Sequence, residues 1–185
     1  MSVQIRLAAP DFFRVLEGFK PVRIHAQMDY SEIARRIIVE NTYLSLASCD
    51  QNSPWIAPLY FVTDREFNFY FVSEKSSLHA KQLKVNPNVA VAIFNSQEIP
   101  EKVNGLQIEA KAYEIGLKEL PKSIKLIYSK TQSELLKSRF KSYLDPRSYL
   151  ALSKFRIYKI IPERFYILDP RVLSTDKRVE VRLKD

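Results

Sequence analysis

Glycine is almost missing from this chain. Among 185 residues there are 3, Gly18, Gly105 and Gly116. Walker-type phosphate loops and the Rossmann G-x-G-x-x-G both need clustered glycines, so both are excluded. Cysteine occurs once, at Cys49, which excludes an intrachain disulfide and a cysteine-built zinc site. The two histidines, His25 and His79, stand in no metal-ligand spacing. The longest clear apolar run, Val89 to Phe94, falls far short of the ~20 residues that cross a bilayer as a helix. Asp11 and Arg14 interrupt any early secretory apolar stretch. These absences lead us to expect a soluble, cytoplasmic protein with no membrane partner.

What remains is an ordinary globular composition, 46% apolar and 27% charged. The length suits one domain with a real core. Net charge is +8 but uneven: residues 118–185 hold 17 Lys/Arg against 8 Asp/Glu, and residues 1–117 hold 12 against 13. A basic surface attracts anions of many kinds. Here the excess is spread over several elements, as on a solvated face.

Residues 1–27 show no clean period and read as an arm of unassigned role, leaving 28–185 as the domain. Asp29-Tyr30-Ser31-Glu32 resembles a capping box, and Ile33, Ala34, Ile37 and Ile38 follow at helical spacing, ending near Asn41. Strands are expected over Thr42–Ser48, Trp55–Thr63, Phe67–Val72, Val89–Asn95 and Gly105–Ile115. Pro58 marks the second as an edge or a bulge, since proline cannot donate to a ladder. Helices are expected over Leu78–Val85, Lys118–Tyr128 and Gln132–Tyr143. Arg156–Ile161 and Arg164–Leu168 read as a hairpin turning over Pro162-Glu163, and Arg178–Leu183 as a further strand. Hairpins and meanders with flanking helices fit an antiparallel barrel better than a parallel sheet.

The chemistry concentrates in Ser73-Glu74-Lys75-Ser76-Ser77-Leu78-His79-Ala80-Lys81, where a buried strand meets a short helix. Ser76 or Ser77 is a good N-cap for a helix beginning at Leu78. Its first turn carries His79 and Lys81 and no acid, with Lys75 just before. Free N–H groups, hydroxyls and cations together make an anion site; the bland alternative is a serine-capped surface helix.

Phe69 to Leu83, followed by Asn86-Pro87 and Val89 to Ile93, resembles the core signature of the pyridoxamine 5′-phosphate oxidase-like FMN-binding split-barrel family. Tyr43–Ser48 with Ile56–Phe61 is similar to that family's first hairpin. Gly105–Ala112 is similar to its G-x-Q-x-x-G-x-A strand, and Tyr158–Asp169 to its closing segment. The resemblance implies a mainly β protein with flanking helices, an antiparallel split β-barrel, homodimeric, with FMN at the subunit interface and a small-molecule substrate. It implies that Ser77 and His79 contact the phosphate with Lys75 and Ser73 beside them. The flavin ring would lie along Ile56-Ala57-Pro58-Leu59 and the strand from Tyr70, with Gln107 reaching it. Trp55–Leu59 lacks the Arg…Lys pair of vitamin B6 oxidases, Leu78-His79 stands where they have Arg-Lys, and the chain ends Val181-Arg182-Leu183-Lys184-Asp185 without their Trp or Pro. These departures argue against vitamin B6 as the substrate.

The leading expectation is therefore an FMN-dependent oxidoreductase of unassigned substrate, with a deazaflavin left open. A non-enzymatic flavin or haem binder is the second reading, His25 being the histidine left over if His79 serves phosphate. A small basic barrel binding nucleic acid is the third; core-like aromatic positions and dispersed lysines count against it.

Overall fold

A computed structural model of the chain describes residues 29–97, 105–131, 134, 137–138, 154–168 and 178–183. The N-terminal arm, His25 included, and most of the helix expected over Gln132–Tyr143 lie outside them; Glu134, Lys137 and Ser138 are helical.

Helix α1 (Tyr30–Glu40) starts where Asp29 accepts from the backbone N–H groups of Ser31 and Glu32, at 2.9 and 3.2 Å. Such a cap is worth about 1 kcal/mol. Ala34, Ile37 and Ile38 are its buried face, and the helix stops at Asn41. Strands β1 (Tyr43–Cys49) and β2 (Pro54–Tyr60) form a hairpin whose turn is held by the Asp50 carboxylate, which accepts from the N–H groups of Asn52 and Ser53.

The strand expected over Trp55–Thr63 divides at Phe61. That residue drops into the core, edge-on to Phe69 at 5.4 Å. Beyond it β3 (Val62–Thr63) changes partner, pairing with β4 (Phe69–Glu74) rather than β1. The expected start of β4 at Phe67 moves to Phe69, because Phe67 takes φ 58° in the β3–β4 turn. Asp64 holds this turn. One carboxylate oxygen accepts from the N–H groups of Glu66 and Asn68, and the other from the side chains of Asn68 and Tyr70. Asp64→Ala should cost about 2–4 kcal/mol, since it strands a buried phenol and several amides. Urea unfolding checks this; a change under about 0.5 kcal/mol, the size of an ordinary surface substitution, would show the turn holds without its acid.

Helix α2 (Leu78–Val85) leads to β5 (Asn88–Phe94) and β6 (Gly105–Glu114). Helix α3 (Leu120–Lys130) begins two residues later than expected, with Pro121 in its first turn, where a missing N–H costs nothing. Phe155–Leu168 is one continuous strand, β7, and not a hairpin. The burial phase does change at Pro162-Glu163: Tyr158, Ile160 and Pro162 point inward before it, Phe165 and Ile167 after. A bulge shifts phase as a turn would. Glu109 pairs with Arg164 and Ala110 with Pro162, leaving Glu163 as the extra residue. Strand β8 (Arg178–Val181) pairs with the end of β7.

The strands form one curled antiparallel sheet in the order β2-β1-β5-β6-β7-β4-β3, a split β-barrel with flanking helices. Pro58 lies on the edge strand β2. Both ends of the order come from residues 54–63, so one kinked stretch of chain supplies both rims of the curl. The inner face carries Leu44, Leu46, Phe69, Phe71, Ile93, Leu106, Ile108 and Tyr158, closed by α1. A smaller cluster, Tyr70, Ile115, Leu120, Ile124 and Ile157, lies under α3 on the other face of β4 and β7.

Candidate functional site

The end of β4 and the start of α2 bring three polar groups together. Ser77 caps α2, its Oγ accepting from the Ala80 N–H at 3.4 Å. The His79 ring folds back, so that Nε2 lies 2.7 Å from Ser73 Oγ and 3.1 Å from Ser77 Oγ. The two hydroxyls are 3.3 Å apart. His79 is only 7% exposed and meets the edge of Phe71 at 6.0 Å; Phe71 in turn stacks on Tyr158 at 5.1 Å. The imidazole is thus fixed by core aromatics on one side and by two hydroxyls on the other.

Burial pushes the His79 imidazole below its ordinary value. This answers the crowding of cations at a positive helix end: the buried one favours its neutral form. Lys75 and Lys81 extend into solvent, and Ser76 donates to Glu74, which pairs with Lys154 at 2.8 Å. No acid stands in the first turn of α2.

A lowered histidine pKa means that the unfolded chain binds the proton more readily than the folded one. The stability gained from neutral His79 is complete above about pH 6.5, the unfolded value, and is lost as pH falls through the lower folded value. His79→Gln should therefore flatten the pH dependence of stability below about pH 6.5. Denaturant midpoints of both proteins across that range check it; parallel curves would contradict it. Inorganic phosphate should act the other way and raise the His79 pKa, visible in its ring proton shifts.

The helix cannot drift from this position. Ser48 Oγ donates to Gln82 Oε1 at 2.7 Å, Gln82 Nε2 donates to the Ser53 carbonyl at 2.6 Å, and Asn86 Nδ2 to the Cys49 carbonyl at 3.1 Å. Sequence reasoning missed these anchors. A glutamine on the inward face of α2 was the available signal.

The other expected site residues are not gathered at this junction. Tyr70 is buried under α3, its hydroxyl donating to Asp64 at 3.0 Å; burial first, and then Asp64, push its phenol up. Ala57 points inward and Leu59 is half-buried. Ile56, 62% exposed, and Pro58 face outward. Gln107 also faces outward, accepting from Arg178 Nη1 at 3.4 Å.

The register explains this grouping. Ile56 pairs with Ala47, Ala47 with Ala90, Ser45 with Ala92, Ala92 with Gln107, and Gln107 with Tyr166. All lie on the outer face of the sheet, where they border a cavity of about 220 Å³. Continuing along this face, Tyr43 is 61% and Phe94 48% exposed, with Tyr60 edge-on to Tyr43 at 5.9 Å. Among the described residues no group of three or more His, Cys, Asp or Glu is placed to hold a metal, and no helix is long and apolar enough to cross a membrane.

Residues 31–168 match the family model described as pyridoxamine 5′-phosphate oxidase. No curated protein matches the chain. Several solved structures share the fold. A haem-binding protein from Mycobacterium smegmatis is 16% identical with a TM-score of 0.61, covering 82% of this chain, which spans 57% of that protein's length. HutZ, the haem storage protein of Vibrio cholerae, is 21% identical at TM-score 0.52, over 76% of this chain and 95% of that one. An FAD-binding protein from Mesorhizobium loti is 14% identical at TM-score 0.50, over 74% and 90%.

Proposed function

The chain belongs to the pyridoxamine 5′-phosphate oxidase family, and from that membership we propose that it binds FMN and acts as a flavin-dependent oxidoreductase on a small-molecule substrate. The observation that carries this reading is the Ser73–Ser77–His79 cluster at the acid-free start of α2. A phosphate received there would accept from both hydroxyls and from free N–H groups at the helix start. It would also draw a proton onto His79, turning a neutral buried ring into a charged partner. Lys75 would add long-range attraction from solvent. The flavin supplies the redox chemistry when bound; the chain supplies the anion cradle, the apolar cover and the polar groups that orient the ring.

Family members named for haem and for FAD both share this fold. Flavin is favoured here because His79 Nε2 is already engaged by two serine hydroxyls, an arrangement suited to an anion rather than to iron.

Within one chain, Gln107 and Ile56 lie on the outer face, away from the serine–histidine cluster on the inner side of β4. A ligand touching both sets needs a second copy, the outer face of one protomer meeting the phosphate end of the other. The exposed Ile56, Tyr43 and Phe94 suit such contact. The departures from the B6 oxidases in the second strand and at the helix start point to a different substrate. The absorption spectrum of the purified protein, with mass spectrometry of the released cofactor, tests the reading. Flavin bands and a mass matching FMN are expected; a Soret band or a colourless protein that ignores added FMN would refute it.

A further inference from the structure

The outer-face cavity has a floor without bulk: Ser45, Ala47, Ala90 and Ala92 sit as a block of paired residues across β1 and β5. Nothing on this floor rises above a methyl or hydroxyl, so it is flat. Ile56 forms one wall; Tyr166 and Arg178 form the opposite one, with Gln107 beside them. Arg178 is delivered by β8, its guanidinium carbon 5.9 Å from the centre of the Tyr166 ring.

The charges around this rim are not shared evenly. Glu109 pairs with Arg164, and both Glu109 and Glu180 favour that arginine's charged form. Lys111 takes Glu163 at 2.8 Å. Arg178 is left with neutral partners, the Gln107 amide oxygen and the Tyr166 ring, and among the described residues it has no carboxylate. A guanidinium is a rigid fork of donors matched to a carboxylate. Its stacking on Tyr166 holds that fork at the cavity mouth while leaving N–H groups to give.

We propose that this cavity binds a small aromatic carboxylate, the ring flat on the Ser45–Ala47–Ala90–Ala92 floor and the carboxylate on Arg178. The volume, below the ~300–1,000 Å³ of sites for drug-sized ligands, suits one small ring system and excludes a long chain. The inference rests on the flavin reading in one respect: Gln107 would border both ligands, which makes the acid the substrate that meets the flavin.

Benzoate and its neutral isostere benzamide are the probes, titrated by NMR into the full-length protein and into Arg178→Ala and Arg178→Lys, with FMN titrated in parallel. Wild type should bind benzoate at least tenfold tighter than benzamide. Arg178→Ala should abolish that preference, and Arg178→Lys should restore part of it. Equal binding of the two probes, or a preference untouched by Arg178→Ala, overturns the assignment. Failure to bind either probe overturns it too, as would follow if a second copy fills the cavity with its own side chains. If the benzoate preference holds while FMN does not bind, the site stands and the flavin reading falls.

Discussion

The double variant Ser77→Ala/His79→Ala should bind FMN about 30- to 1,000-fold more weakly than wild type. Each hydroxyl or charged contact to a phosphate contributes roughly 1–3 kcal/mol, and two that share one anion add less than fully. Riboflavin has the same ring and no phosphate, so its affinity should move by no more than about threefold, within ~0.7 kcal/mol. The single His79→Ala variant should also lose a pH dependence that wild type shows. Burial holds the free imidazole below its usual value, so phosphate binding must bring a proton with it, and FMN should bind more tightly as pH falls toward 6. Fluorescence quenching of FMN and riboflavin across that range reads all of this. Equal losses for both flavins would place the phosphate elsewhere.

Ala90→Arg should convert a dimer into a monomer and remove FMN binding with it. Ala90 is exposed on the outer face of a single chain, so arginine there is harmless to the fold. In an interface it would bury an unpaired charge, at a cost of several kcal/mol. Light scattering should give twice the 21.6 kDa chain for wild type and the single mass for the variant. Ligand and subunit contact are linked, so FMN should raise the melting temperature of wild type and not of Ala90→Arg. A wild-type monomer that binds FMN one-to-one would show that the site lies within one chain. A variant that stays dimeric would show that the copies meet through another face.

Local chemistry was legible in the sequence wherever one segment decides its own structure. The serine cap of α2, the Asp29 cap of α1, the Asp50 turn and the alternation of β6 all depend on residues within a few positions of each other, and each stands where expected. Pro58 correctly marked an edge. The misreading at Pro162-Glu163 came from a real signal with two causes, since a bulge and a turn both break an inside–outside alternation; only the partner strand β6 tells them apart. Phe61 likewise looks like one more apolar strand residue until β4 is present to take over the pairing of β3. Which site residues share a face was least legible. Gln107 and Ser77 are separated by the curl of the whole sheet, and no short stretch encodes that curl. Arg178 carries no local mark at all; its place follows from β8 pairing with the end of β7.

Strand β7 is also the last of its neighbours to be synthesised, and it is the partner of β4, β6 and β8 at once. While the chain grows on the ribosome, β4 is complete at Glu74, but the residues that satisfy its second edge, from Phe155 onward, have yet to be made. At 5–20 residues per second that interval lasts about 4–16 s. Throughout it, Tyr70, Phe71 and Val72 offer an apolar strand with an open row of hydrogen-bonding groups, and β6 offers another. Helix α2 and the β1–β2 hairpin can assemble in that time from contacts already present, but the barrel cannot close. The nascent protein therefore faces its main risk of mispairing, and its main need of chaperone shelter, in the middle of translation rather than at its end.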